Sequence, residues 1–142
     1  MTEVDLPAIR CVGGIVHDPG GRLLLVLRDN DPGRGKWSIP GGRVEAGESD
    51  DTAVRRELAE ETGLSVTVDR LCGTVERPAP SGIYVIYDYL CTTSDTAARA
   101  ASDAADVRWA DAAEFAALHE AGELVDLLHE TLRDWDVLPR TG

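Results

Sequence analysis

The segment from Gly42 to Leu64 constrains the fold of this chain more than any other part of the sequence. It reads GRVEAGESDDTAVRRELAEETGL. Ser49 is a residue type that accepts a hydrogen bond at the start of a helix, and Gly63 readily adopts the left-handed conformation that ends one. Together they predict a helix over residues 50–62. Its core face would carry the small or apolar side chains of Ala53, Val54, Leu58 and Thr62.

Glu57, Glu60 and Glu61 form a cluster of carboxylates on this predicted helix. Their i, i+3, i+4 spacing places them on one face, with neighbouring Cβ atoms about 5–6 Å apart. Three negative charges this close repel one another, whereas Mg²⁺ or Mn²⁺, which prefer oxygen ligands, would reverse the sign of the interaction. Considered without its surroundings, such a cluster is more often a solvated helix face.

The residues around the glutamates favour the metal interpretation, because the segment resembles the signature of the Nudix hydrolases. That signature is G-x5-E-x7-R-E-U-x-E-E-x-G-U, where U is aliphatic. The preceding residues 37–42, Trp-Ser-Ile-Pro-Gly-Gly, are similar to the MutT-like and ADP-ribose pyrophosphatase-like branches of the family. The chain matches every fixed position, at Gly42, Glu48, Arg56, Glu57, Leu58, Glu60, Glu61, Gly63 and Leu64.

This resemblance implies a fold and an activity. The implied fold is of the mixed α/β (α+β) class, an α/β/α sandwich with a mixed β-sheet between helices. The implied activity is Mg²⁺- or Mn²⁺-dependent hydrolysis of a nucleoside diphosphate linked to another group. A chain of 142 residues with 43% hydrophobic residues fits one such domain, spanning residues 1–142.

The resemblance also implies roles for individual residues of the segment. Glu60 would be a ligand or the general base, Glu48 would bind metal through water or support the ligands, and Arg56 would orient the glutamates. Arg56 precedes Glu60 by four residues, within reach on the same helix. The implied metal ligands are the carbonyl oxygen of Gly41 and the carboxylates of Glu57, Glu60 and Glu61.

Residues outside the segment are candidates for completing the site. In many family members a later loop supplies a further acid, and here Asp103 and Asp106 are the candidates. Some relatives carry a glutamate where this chain has Ala104, so the identity of the base stays open. Candidate substrate-binding residues are Arg28, Trp37 and Arg43, although a tryptophan or arginine here is at least as often a packing or surface residue.

The charge balance limits the partners of the protein. With 14 basic and 26 acidic residues, the formal net charge is −12. Broad binding to nucleic-acid backbones requires basic patches, so a small nucleotide is the expected partner and long nucleic acid is not. The apolar runs are too short to span a bilayer, and no signal peptide is recognisable. A cytoplasmic protein, monomeric or homodimeric, is therefore expected.

The remaining sequence predicts strands before and after the central helix and further helices at the end. The first two strands are expected to pair as a hairpin across the turn at residues 18–21. His17, His119 and His129 show no ligand spacing and receive no role. The predicted strands are 8–16, 22–27, 65–71 with a continuation at 74–77, 83–92 and 107–109. Residues 78–82 are expected to interrupt the strand structure, and residues 93–105 to form a loop. The predicted later helices are 111–119 and 123–135.

A second function is compatible with the same fold, namely a nucleotide-sensing module without catalysis. Such modules usually lose acids of the signature. The complete set of acids in this chain therefore favours the enzyme.

Overall fold

The computed structural model describes residues 6–100 and 104–140, and these residues form seven strands and three helices. The strands are β1 (Ala8–Val16), β2 (Leu23–Arg28), β3 (Trp37–Ser38), β4 (Gly41–Arg43), β5 (Thr67–Ala79), β6 (Gly82–Thr92) and β7 (Ala104–Ala110). The helices are α1 (Asp50–Thr62), α2 (Ala112–Glu120) and α3 (Leu128–Asp134).

The strands form two sheets. The larger sheet has the order β4-β1-β6-β5, and the smaller has the order β3-β2-β7. The larger sheet is mixed, because β1 runs parallel to β6 while the other neighbours are antiparallel. This arrangement confirms the predicted mixed sheet. It places Gly13 of β1 between Gly41 of β4 and Asp88 of β6 in one row.

The predicted hairpin between the first two strands is wrong. Only the isolated bridge from His17 to Leu23 joins them, and β2 pairs instead with β3 and β7. One edge of β1 is paired along its whole length and the middle of the other edge is paired as well. Strand β6 pairs with β1 along its whole length, and β4 pairs with it from the other side.

Helices cover the sheets from both sides, which confirms the predicted sandwich. Alternate residues of β1 and β2 point to opposite sides, as strand geometry requires. On one side the buried core comprises Val12, Val16, Leu24, Ala53, Val54, Leu58, Leu64, Val66 and Cys91, with α1 as its helix. On the other side it comprises Ile15, Leu23, Leu25, Ala110, Phe115, Leu118, Leu124, Leu128, Leu132 and Val137, with α2 and α3.

Helix α1 has the predicted bounds and ends. The Ser49 side chain accepts a hydrogen bond from the backbone N–H of Thr52, and Gly63 has a left-handed φ of 73°. Asp50 in the first turn binds Arg10, with N···O distances of 2.8 and 2.7 Å, and accepts the Tyr89 hydroxyl at 2.6 Å. The four predicted core residues of α1 are all fully buried. Of the helices in the described residues α1 is the longest, with 13 residues, and none of them has the length and apolarity to cross a bilayer.

The last predicted helix begins five residues too early at 123. Residues 123–125 instead bond to β3, because the N–H of Trp37 donates to Glu123 and the N–H of Val125 donates to Trp37. Leu127 then has a positive φ of 66°, which no residue inside an α-helix adopts. Helix α3 therefore begins only at Leu128. The helix predicted over 111–119 is present as α2, with Asp111 as its N-cap.

Two strands are longer than predicted. Strand β5 is continuous from Thr67 to Ala79, and the expected break at 78–82 is only a turn at residues 80–81. Pro78 fits in this strand because β5 is at the edge of its sheet, where a missing N–H costs no ladder hydrogen bond. Strand β7 begins at Ala104, inside the predicted loop 93–105, because it pairs with β2 as far as Arg28.

Candidate active site

Arg56 gathers the acids of the 42–64 segment. Its Nη1 donates to Glu57 Oε1 at 2.9 Å and to Glu60 Oε2 at 3.2 Å, so the predicted contact with Glu60 is present. Its Nε and Nη2 donate to the two Glu48 oxygens at 2.7 and 2.9 Å. Nη2 also donates to the carbonyl oxygen of Arg43 at 3.0 Å. The planar guanidinium thus fixes three carboxylates and one strand relative to each other.

Glu48 anchors the loop that enters α1. Besides Arg56, its Oε1 accepts the backbone N–H of Glu45 at 3.0 Å. These hydrogen bonds favour the ionised form and lower the pKa of Glu48 to about 2. The carboxylate of Glu48 is therefore committed to Arg56 and the loop backbone.

Glu57 lies against the backbone of β4. A Cβ atom added to Gly42 would be 2.5 Å from the Glu57 carboxylate, so only a glycine leaves room for it. The side chain of Glu57 is 14% exposed. Burial raises its pKa, and the neighbouring Arg56 acts in the opposite direction. A cation beside a partly desolvated carboxylate of this kind stabilises its ionised form.

Glu61 and Gly41 meet at the same strand. The backbone N–H of Gly41 donates to Glu61 Oε2 at 3.2 Å. Glu61 is half-buried, whereas Glu60 is exposed to solvent. The three glutamates therefore differ in surroundings although they share a helix face, and Glu60 is the most accessible of them to water.

The chemistry of this set fits a divalent cation of the Mg²⁺ or Mn²⁺ type. The available donors are hard carboxylate and backbone oxygens, which those ions prefer. The pocket left by Gly42 brings Glu57 close to the main chain, and the Gly41–Glu61 hydrogen bond brings the other end of the helix face to the same strand. Gly41, Glu57, Glu60 and Glu61 are the residues that could hold such an ion.

The three candidate substrate-binding residues lie on three different strands, Arg28 on β2, Trp37 on β3 and Arg43 on β4. Arg28 donates to the carbonyl of Pro32, within the loop that follows β2. The guanidinium of Arg43 lies 5.7 Å from the centre of the Tyr84 ring. Trp37 packs against the core under α2 and α3, and Arg108 lies 5.4 Å from its ring centre. None of these contacts joins the three residues directly to one another.

The two later acids have different outcomes. Asp103 lies outside the described residues. Asp106 is an exposed residue of β7, paired with Leu27, and its Oδ1 accepts the N–H of Val107 at 2.8 Å. A role for Asp106 in the reaction stays a prediction.

Asp88 is a buried acid outside the set of candidate residues. It is only 5% exposed, and its Oδ1 leans over Gly13 with no hydrogen-bond partner among the described residues. Burial raises its pKa to about 7. The available sequence signal is an acid inside the otherwise apolar strand 83–92.

The comparison with protein families identifies the fold. The sequence model of the protein family described as "NUDIX domain" matches residues 7–130, which is most of the chain. The chain belongs to the Nudix family. The predicted resemblance is thereby confirmed, and the Arg56 and glutamate arrangement is the Nudix signature in three dimensions.

Relatives of this Nudix chain include enzymes named as pyrophosphatases. It is 38% identical over 98 residues to a MutT-like protein of Streptomyces ambofaciens, covering 69% of this chain and 60% of that protein. It is 35% identical over 107 residues to the ADP-ribose pyrophosphatase of Methanocaldococcus jannaschii, covering 74% and 62%. The chain thus spans less than two thirds of the length of these relatives.

Solved structures share the Nudix fold. A MutT protein from Methanosarcina mazei has a TM-score of 0.81 at 21% identity, covering 94% of this chain and 96% of that one. A bifunctional NMN adenylyltransferase/ADP ribose pyrophosphatase from Francisella tularensis, complexed with AMP and a Mn ion, has a TM-score of 0.72 at 22% identity. That match covers 91% of this chain and 41% of the other.

Proposed function

We propose that this chain hydrolyses the diphosphate bond of a nucleoside diphosphate linked to another group, by attack of water on phosphorus, with Mg²⁺ or Mn²⁺ at the glutamates. The observation that carries the proposal is the arrangement around Arg56, which holds Glu48, Glu57 and Glu60 in one network. A solvated helix face needs no such network, because exposed acids lose little by pointing into water.

We assign a metal-binding, orienting or proton-accepting role to each residue of this group. A bound divalent cation supplies neutralisation of phosphoryl charge and a lower pKa for water. Glu57, Glu61 and the Gly41 carbonyl would hold it, and Arg56 keeps Glu57 in orientation through a hydrogen bond of 2.9 Å. Glu60, the exposed acid, ligates the cation or accepts the proton from the attacking water. Asp103 and Asp106 are further candidates for that proton.

The substrate class rests on the relatives and on charge. Relatives named MutT-like protein and ADP-ribose pyrophosphatase support an ADP-ribose-like sugar nucleotide or a nucleoside triphosphate as substrate. A net charge of −12 disfavours long RNA, whose backbone needs basic patches. Arg28, Trp37 and Arg43 are the side chains proposed to contact the phosphates or the base.

The test is a panel of ADP-ribose and normal and oxidised nucleoside triphosphates with Mg²⁺ and Mn²⁺, with identification of the products. The wild-type chain should release the two products formed when a diphosphate bond is hydrolysed. Glu57→Gln and Glu61→Gln should each lower kcat by at least about 100-fold with an unchanged circular dichroism spectrum, because each removes a proposed metal ligand.

Glu120→Gln is the matched control, since Glu120 is an exposed acid at the end of α2. It should retain wild-type turnover. Near-wild-type turnover in Glu61→Gln would contradict the ligand role. Nucleotide binding without release of any product would instead favour a sensing module on the Nudix fold.

A further inference from the structure

Two histidines that are ten residues apart in the sequence meet where α2 ends and α3 begins. His119 lies in the last turn of α2, and His129 lies in the first turn of α3. The chain turns back between them at Gly122, with φ of 69°, and Leu127, with φ of 66°. The two imidazole rings stack with their centres 4.1 Å apart and their planes 10° from parallel.

A carboxylate completes this group. Glu130 Oε1 lies 4.0 Å from His119 Nδ1 and 3.8 Å from His129 Nδ1. One ligand atom from each residue lies within 4.8 Å of the other two. Zinc–ligand bonds of about 2.0–2.1 Å in a tetrahedral site place ligand atoms roughly 3.4 Å apart. Because each nitrogen lone pair lies in its ring plane, the two nearly parallel rings would have to rotate towards a common ion as the three atoms approach that spacing.

A further observation on His129 favours a ligand at this group. Its Nδ1 is buried and has no hydrogen-bond partner among the described residues. A buried polar atom left without a partner is costly, so such atoms usually have one. His129 also lines a cavity of about 220 Å³, together with His119, Asp126 and Glu130.

We propose that His119, His129 and Glu130 form a second metal site, for a transition metal of the Zn²⁺ class. Two imidazoles and one carboxylate suit Zn²⁺, whereas the oxygen-only set on α1 suits Mg²⁺ or Mn²⁺. The site would tie the end of α2 to the start of α3. It would also enclose the loop whose residues Glu123 and Val125 bond to Trp37. The proposal does not depend on the proposed hydrolytic function.

The experiment is a titration of the chelator-treated full chain with Zn²⁺ by calorimetry, in saturating Mg²⁺ so that the glutamates of α1 are occupied. A parallel titration with Co²⁺ reports ligand geometry through its visible absorption. We expect one Zn²⁺ per chain, with affinity at least tenfold weaker in His119→Ala and in His129→Ala. Zn²⁺ should also raise the melting temperature of the wild type and not of these variants.

Further variants test which residues hold Zn²⁺. Glu120→Gln removes a neighbouring exposed acid and should leave Zn²⁺ binding unchanged, whereas Glu130→Gln should weaken it. Glu57→Gln should also retain this binding. His119 is 44% exposed, so His119→Ala is expected to fold even if His129→Ala does not. Undiminished Zn²⁺ affinity in His119→Ala, or no Zn²⁺ binding by the wild type, would overturn the proposal.

Discussion

Arg56 and Glu48 form a two-pronged ion pair, with Nε to Oε2 at 2.7 Å and Nη2 to Oε1 at 2.9 Å. The pair joins the loop before α1 to the helix itself, because Glu48 precedes the helix and Arg56 lies within it. The remaining nitrogen of Arg56 reaches Glu57 and Glu60. The position of these glutamates therefore depends on the planar shape of the guanidinium as well as on its charge.

Arg56→Lys tests that dependence. Lysine keeps the positive charge but cannot make two parallel bonds to Glu48 while also reaching Glu57. We expect kcat to fall about 10–100-fold, as is usual for residues that orient metal ligands, with the fold retained by circular dichroism. Steady-state kinetics over a range of Mg²⁺ concentrations would measure the change. Equal kcat in Arg56→Lys and wild type would show that charge alone suffices.

Glu48 should make the free energy of unfolding depend on pH in the acid range. Its pKa of about 2 in the folded chain is below the ordinary value of 4.5. The stabilisation is therefore complete above the ordinary value and is lost as the pH falls from about 4.5 towards 2. The urea midpoint of the wild type should exceed that of Glu48→Gln at neutral pH, and the gap should shrink as acid is added. A difference in urea midpoint that stays constant across this range would contradict the assignment. The control Glu120→Gln should have the same urea midpoint as the wild type at each pH.

Gly42→Ala should displace the Glu57 carboxylate without removing it. The new Cβ would be 2.5 Å from that carboxylate, which must move for the chain to fold. Because a shift of about 1 Å at a reacting site can cost roughly 100-fold in rate, we expect a large loss of kcat. Gly35→Ala is the control, since its φ of 79° makes the change strained but its Cβ would meet nothing within 4 Å. It should lower stability by about 1 kcal/mol and leave kcat unchanged.

Asp88 should oppose folding above neutral pH. Its pKa is about 7 in the folded chain against an ordinary value of 3.8, so between these values the folded state holds a proton that the unfolded state has released. Stability should therefore fall as the pH rises through this window. Asp88→Asn should remove that slope and stabilise the chain near pH 8 by an amount on the order of a few kcal/mol. Thermal melts at several pH values would measure this, with the exposed Asp69→Asn as a control; a slope that persists in Asp88→Asn would contradict the prediction.

The segment around α1 was predictable because its signals are local. Ser49 and Gly63 set the ends of the helix through bonds to residues at most four positions away. The spacing of Glu57, Glu60 and Arg56 follows from helix geometry alone. For the same reason the core face of α1 could be read directly from the sequence.

Strand pairing was not predictable to the same extent. The turn at residues 18–21 gave a sound local reason for a hairpin, yet β1 is occupied by β6, whose residues lie more than seventy positions away. Similarly, Glu123 and Val125 bond to Trp37 instead of continuing into α3. A local helical pattern cannot reveal that a distant strand competes for the same backbone groups.

The sequence by itself determined the grouping of glutamates on one face of α1, the helix that carries them and the family to which the chain belongs, because short-range spacing encodes all three. Only the tertiary structure decided which strand each edge accepts, how Gly42 makes room for Glu57, and that Asp88 is buried without a partner. It also brought His119 and His129 together across a turn. These features depend on backbone groups and side chains that meet only after distant parts of the chain have packed, so no local pattern records them.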